Sequence, residues 1–158
     1  MIFGVTGHRD LDQQPGELRW FARLLVTAMV QRGCTEIITG MARGFDLAIA
    51  QACADSGVPF IAAIPFIQQP LNWEQADRTD WERLTREAKE VYLAGPYPQN
   101  TFYFARNKWI VDHSEQLWSL YDGRGHGGTQ HCTLYAEQQK RIVKPLWDEW
   151  IRFRAERN

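Results

Sequence analysis

Cysteine is scarce in this chain. Only three are present, Cys34, Cys53 and Cys132, too scattered for a paired metal-ligand motif and too few for a disulfide framework. Free thiols in a reducing compartment are expected, with Cys53 packed as a small apolar group. Long apolar runs are also missing: none approaches the roughly 20 residues that a membrane span needs. The opening residues, Met1 to Thr6, lack the basic start and the apolar length of a secretory signal. A cytoplasmic location with no membrane partner is the expectation. Nor is there an excess of one charge. The 18 basic residues face 19 acidic ones, a formal net charge of −1, so no bulk field draws the chain onto nucleic acid or an anionic bilayer. No Walker lysine pattern, no Gly-x-Ser-x-Gly elbow and no Cys/His pair occurs, which disfavours P-loop ATPase and acyl-transfer chemistry. Repeats and low-complexity linkers are absent.

What is present suits one globular domain: 158 residues, 44% hydrophobic and 23% charged. The apolar run Ile2 to Val5 stops at Gly7 and predicts a buried strand. Leu18, Phe21, Ala22, Leu25 and Met29 recur at helical steps up to Gly33. Further strands are predicted at 36–39, 59–64, 91–94 and 116–121, with a sixth, edge-like one at 142–147 that contains Pro145. Helices are predicted at 46–56, 77–90, 102–113 and 129–141. Alternating strands and helices with long connections imply an α/β fold, a mostly parallel sheet of five to six strands with helices on both faces. The domain is expected over residues 1–147. The remaining 148–158 reads as a polar, arginine-rich and weakly specified tail.

Ligands of such sheets bind beyond the carboxyl ends of the strands, where strand order reverses. The candidate residues are those in the loops there. His8 and Arg9 follow Gly7 at the first strand; His8 reads either as a turn residue bonded to backbone or as part of a site floor. Gly40, Arg43, Gly44 and Asp46 follow the second strand. Asp46 is either a helix N-cap or an acceptor for sugar hydroxyls. After the fifth strand come Asp122 and then Gly127, Gly128 and Thr129, which open a helix. Backbone N–H groups and the dipole at such a start suit phosphate, and Thr129 would either cap the helix or offer its hydroxyl. Arg106 and Asn107 stand early in another helix, Arg106 as a fork donor to an anion or as a solvated surface arginine. Trp73 or Tyr97 on nearby loops would stack on a base. His126, His131 and Cys132 have no second ligand pair, so no metal is expected.

Taken together, Gly7-His8-Arg9, the run Gly40 to Ala48, Arg106-Asn107, and Asp122-Gly123 with Gly127-Gly128-Thr129 resemble the SLOG superfamily. That group joins the DNA-processing protein A family with the Lonely Guy phosphoribohydrolases, and the chain is most similar to its YpsA-like branch, over about residues 1–147. The resemblance implies a single Rossmann-like, doubly wound domain that binds a nucleotide or nucleotide-derived phosphate ligand as sensor or carrier, without a cofactor. Lonely Guy enzymes cleave the N-glycosidic bond of a nucleoside monophosphate with an arginine and a glutamate in a PGGxGTxxE motif. Arg106 would be the catalytic arginine of such a hydrolase, but Cys132 occupies the glutamate position. Hydrolysis is therefore the alternative reading, and single-stranded DNA binding a third, disfavoured one. A homodimer is compatible with the apolar helix faces common in this fold.

Overall fold

The computed structural model describes residues 1–157; Asn158, the end of the expected tail, lies outside the described residues. Strands and helices alternate throughout: β1 (Ile2–Gly7), α1 (Glu17–Gln31), β2 (Glu36–Thr39), α2 (Phe45–Ser56), β3 (Phe60–Ile64), α3 (Gln75–Glu87), β4 (Glu90–Leu93), α4 (Asn100–Asp112), β5 (Gln116–Leu120), α5 (Gly128–Gln138), β6 (Ile142–Pro145) and α6 (Trp147–Arg157). The six strands form one all-parallel sheet in the order β4-β3-β2-β1-β5-β6.

Side-chain alternation sorts the core into two layers. Phe3, Val5, Ile37, Phe60, Ala62, Ile64, Trp118 and Leu120 face one side, where they meet α1, α2, α3 and α6. Ile38, Ile61, Ala63 and Leu117 face the other, against Ile110 and Val111 of α4 and Cys132 and Ala136 of α5. Both faces of the central strands are covered, which is why they read as unbroken apolar runs. The edge strands β4 and β6 leave Val91, Leu93 and Ile142 exposed, and Pro145 sits where an edge tolerates it.

The segment after residue 147 departs from expectation. Instead of a weakly specified tail it forms α6, whose Trp150 is buried and packs on Phe21 at a ring-centroid distance of 5.1 Å. Arg154 donates through Nε to the buried Glu17 of α1 at 3.3 Å. Polar residues on the outer side of α6 hid the few apolar positions that dock it.

Strand order runs outward from β1 through β2 and β3 to β4, then returns to place β5 on the other flank of β1. The reversal between β1 and β5 opens a crevice at the carboxyl edge. No helix among the described residues is long and apolar enough to cross a membrane.

Candidate functional site at the carboxyl edge of the sheet

A cavity of about 1130 Å³ occupies that crevice, slightly larger than the usual small-molecule site. Among the residues predicted for a site, Gly7, His8, Arg9, Asp46, Arg106, Asn107, Gly127, Gly128 and Thr129 line it. Gly40, Arg43, Gly44 and Asp122 do not, and their surroundings show why. Arg43 pairs at 3.3 Å with Asp10, itself a wall residue, without reaching the cavity. Asp122 is held by Arg124, which donates to both carboxylate oxygens at 2.8–3.1 Å. Those bonds, with the backbone N–H of Arg124, keep the Asp122 carboxyl well below its ordinary range. Gly44 has φ 86°, and a Cβ there would stand 2.5 Å from the carbonyl oxygen of Arg9. Its lack of a side chain lets the start of α2 close on the β1 loop, where Phe45 N–H donates to the His8 carbonyl at 3.3 Å.

Arg106 is buried, not a solvated surface arginine. Its Nη1 donates to the carbonyl oxygens of Gly40 and, at 3.3 Å, Ala63, and its Nε donates to Asn107 Oδ1 at 2.9 Å. Gly40 carries no side chain because a Cβ would lie 2.7 Å from Arg106 Nη1. Asn107 passes the connection on, since its Nδ2 donates to the Gly128 carbonyl at 3.2 Å. On the opposite side Gln69 Nε2 donates to the Gly40 carbonyl at 3.1 Å and Gln69 Oε1 accepts from Trp81 Nε1 at 2.9 Å. One chain of hydrogen bonds thus runs across the strand ends from α3 to α5. Burial pulls the Arg106 pKa down, and the nearby Asp46 carboxylate is the main influence opposing it.

Asp46 is not the N-cap of α2; Gly44 is, without a side-chain cap bond. The carboxyl group is buried, Oδ2 accepts from Ala42 N–H at 3.4 Å, and Oδ1 has no partner. Burial pushes its pKa up to about 6, against the pull of Arg106. Thr129 is likewise not a cap. It is the second residue of α5, whose N-cap is Gly127 with no side-chain bond, so the amides of that first turn are left open at the cavity wall.

His8 is bonded to backbone and also stands at the cavity. Its ring lines the cavity, and Nε2 accepts the backbone N–H of Asp122 at 3.0 Å, tying the β5 loop to β1. Burial lowers its pKa, which favours the neutral ring that this bond requires. The ring stands between Tyr121 and Trp147, with centroids 5.8 and 6.4 Å away. Trp73 also reaches the cavity, whereas Tyr97 packs edge-on against Phe102 instead. Cys132 is fully buried beside Arg106 and its thiol is pushed up to about 12, an inert group. Among the described residues no three metal-ligating side chains are gathered.

The wall also includes polar residues to which the sequence gives no role, among them Gln69, Tyr103, Lys108 and Arg124. Stepping back from Asn107 by four and seven residues along α4 reaches Tyr103 and Asn100 on the same face, a spacing that would have found the first of them. Lys108 and Arg9 supply exposed positive charge at the cavity wall, where Arg124 is already paired with Asp122.

A model of the YspA SLOG family matches residues 18–146. The chain is 22% identical over 154 residues to the UPF0398 protein YpsA of Bacillus subtilis (strain 168), covering 88% of this chain and 86% of that protein. Among solved structures it resembles DNA processing protein A of Streptococcus pneumoniae, with TM-score 0.68, 17% identity and 90% of this chain covered. It spans 49% of that protein, about half its length. The molybdenum cofactor carrier protein of Chlamydomonas reinhardtii matches with TM-score 0.59 and 16% identity over 91% of this chain and 74% of that one. The structural likenesses are of fold.

Proposed function

The chain belongs to the YspA SLOG family, and on that footing we propose that it binds a nucleotide or nucleotide-derived phosphate ligand at the carboxyl edge of its sheet, as a sensor or carrier. The observation that carries this reading is Asp46 Oδ1, a buried oxygen without a partner. An unsatisfied buried acceptor costs about 1–3 kcal/mol or more when charged, and the hydroxyls of a ribose would satisfy it. In the same cavity the first turn of α5 offers open amides at Gly128 and Thr129, which suit a phosphate. Arg9 and Lys108 would neutralise it. Arg106, with Nε and Nη1 committed to protein oxygens, would act chiefly by shaping the wall and holding Asp46 ionised.

Hydrolysis of an N-glycosidic bond is the second reading. Asp46 and Arg106 supply a carboxylate and an arginine in one cavity, yet the position of the family glutamate holds the inert Cys132. Incubation with nucleoside monophosphates and assay for free base separates the two readings: release of base that Arg106→Ala abolishes would replace binding by cleavage. For the binding reading the test is calorimetric titration with AMP, GMP, CMP, UMP and ribose 5-phosphate. Saturable heat below about 1 mM, roughly −4 kcal/mol of binding free energy, is expected for at least one. Absence of heat for all five would end the proposal.

A further inference from the structure

A second cavity of about 320 Å³ adjoins the first. Gln69, Asn100 and Tyr103 belong to the walls of both, which sets the two side by side. The chemistry of this annex differs from that of its neighbour. Five carboxamides stand around it, Gln68, Gln69, Asn72, Gln99 and Asn100, and its wall has no charged residue. Phe66 and Tyr103 meet edge-to-face there at 5.1 Å. A carboxamide sets a donor beside an acceptor, the complement of a heterocycle whose ring nitrogen adjoins an amino or oxo group. Aromatic surface suits the faces of the same ring. Such a wall carries no positive side chain to neutralise a phosphate.

Gln69 is spoken for at both ends, by Gly40 and Trp81, and serves as a fixed wall. The side chains of Gln68, Asn72, Gln99 and Asn100 are exposed and make no hydrogen bond among the described residues. They are free to meet a ligand.

Sheet order sets the sequence of subsites. The open turn of α5 follows β5, Asp46 follows β2, and the annex lies beyond β3. β5 and β3 are three strand spacings apart, about 14 Å. Along this line an anion site comes first, then a hydroxyl acceptor, then an uncharged slot for a planar ring, which is the order of phosphate, sugar and base. We propose that the annex is a base-selecting subsite, taking the neutral nucleobase of a nucleoside phosphate whose phosphate rests on the Gly127–Thr129 turn. This rests on the phosphate-ligand reading above.

The test compares the full chain with Asn72→Leu and Gln99→Leu, two exposed positions that line only the annex. Each is titrated with the four nucleoside monophosphates and with ribose 5-phosphate, which lacks the base. Unchanged urea midpoints establish that the variants fold. In the wild type one nucleotide is expected to bind at least about tenfold more tightly than ribose 5-phosphate. Either variant is expected to erase most of that preference while leaving ribose 5-phosphate affinity unaltered. Equal affinity for nucleotides and ribose 5-phosphate in the wild type, or an unchanged nucleotide ranking in both variants, overturns the annex and leaves phosphate binding standing. No binding of any of the five ligands overturns both.

Discussion

Arg106 donates to the carbonyl oxygen of Gly40, and its guanidinium lies where a side chain at position 40 would begin. The residues are 66 apart in the chain, and each explains the other. A glycine is needed because an arginine is buried over it, and the arginine is tolerated in the interior because carbonyls at two strand ends and Asn107 take up its donors. Gly40→Ala would push a methyl group to 2.7 Å from Arg106 Nη1 and 3.0 Å from Asp46 Oδ2. A loss of about 1–3 kcal/mol in urea denaturation is expected, together with weaker ligand binding, because both displaced groups line the cavity.

Two other glycines separate folding from binding. A Cβ at Gly128 meets nothing within 4 Å, and the residue lies at the start of a helix on the cavity wall. Gly128→Ala should leave stability within about 0.5 kcal/mol of wild type and reduce phosphate-ligand affinity about tenfold or more by occupying the anion's place. Gly44→Ala should do the reverse of that separation: positive φ and the Arg9 carbonyl at 2.5 Å lower the melting temperature first. Thermal melts beside calorimetric titrations distinguish the patterns.

Asp46 gives stability a slope with pH. Its carboxyl rises from an ordinary 3.8 to about 6 in the folded protein, so folding favours the protonated form. The stabilising contribution is whole below about pH 4 and is lost as pH rises through about 6, amounting to about 3 kcal/mol at about 1.4 kcal/mol per tenfold change in the proton equilibrium. Asp46→Asn should remove that slope in urea titrations between about pH 4 and 8 and abolish ligand binding at neutral pH. A variant with the wild-type slope would show that this carboxyl is not the source.

His8 works in the opposite sense. Burial holds its pKa below 6.5 in the folded state, so the unfolded chain takes up the proton first as pH falls. Its contribution is present above 6.5 and is lost as pH drops towards the folded value. Protonation would also end the bond from Asp122 N–H, since Nε2 would no longer accept. His8→Gln is expected to flatten this part of the acid limb, measured as the difference in urea midpoint between about pH 7.5 and pH 5.

The fold was legible because covered parallel strands leave plain marks. Ile37 and Ile38 face opposite layers yet are both buried, and such a pair reads as a strand without knowledge of its neighbours. The strand-end loops were legible through their glycines. Partnership was not. Arg43 and Asp122 are of the right type in the right loops, but their charges are taken up by Asp10 and Arg124 of the cavity wall, and no spacing rule predicts which arginine meets which carboxylate. Asp46 and Thr129 each fit a cap in the sequence because helix starts are uncertain by a residue or two. Helix α6 escaped because Trp150 and Phe153 are too few, in a stretch of charge, to display a period.

The ring of Trp147, 6.4 Å from that of His8, sets an indole against the floor of the cavity. The chain therefore contains its own optical probe. The difference in emission between wild type and a Trp147→Phe blank would follow the ionisation of that single imidazole, and any molecule that settles over it, without a label attached.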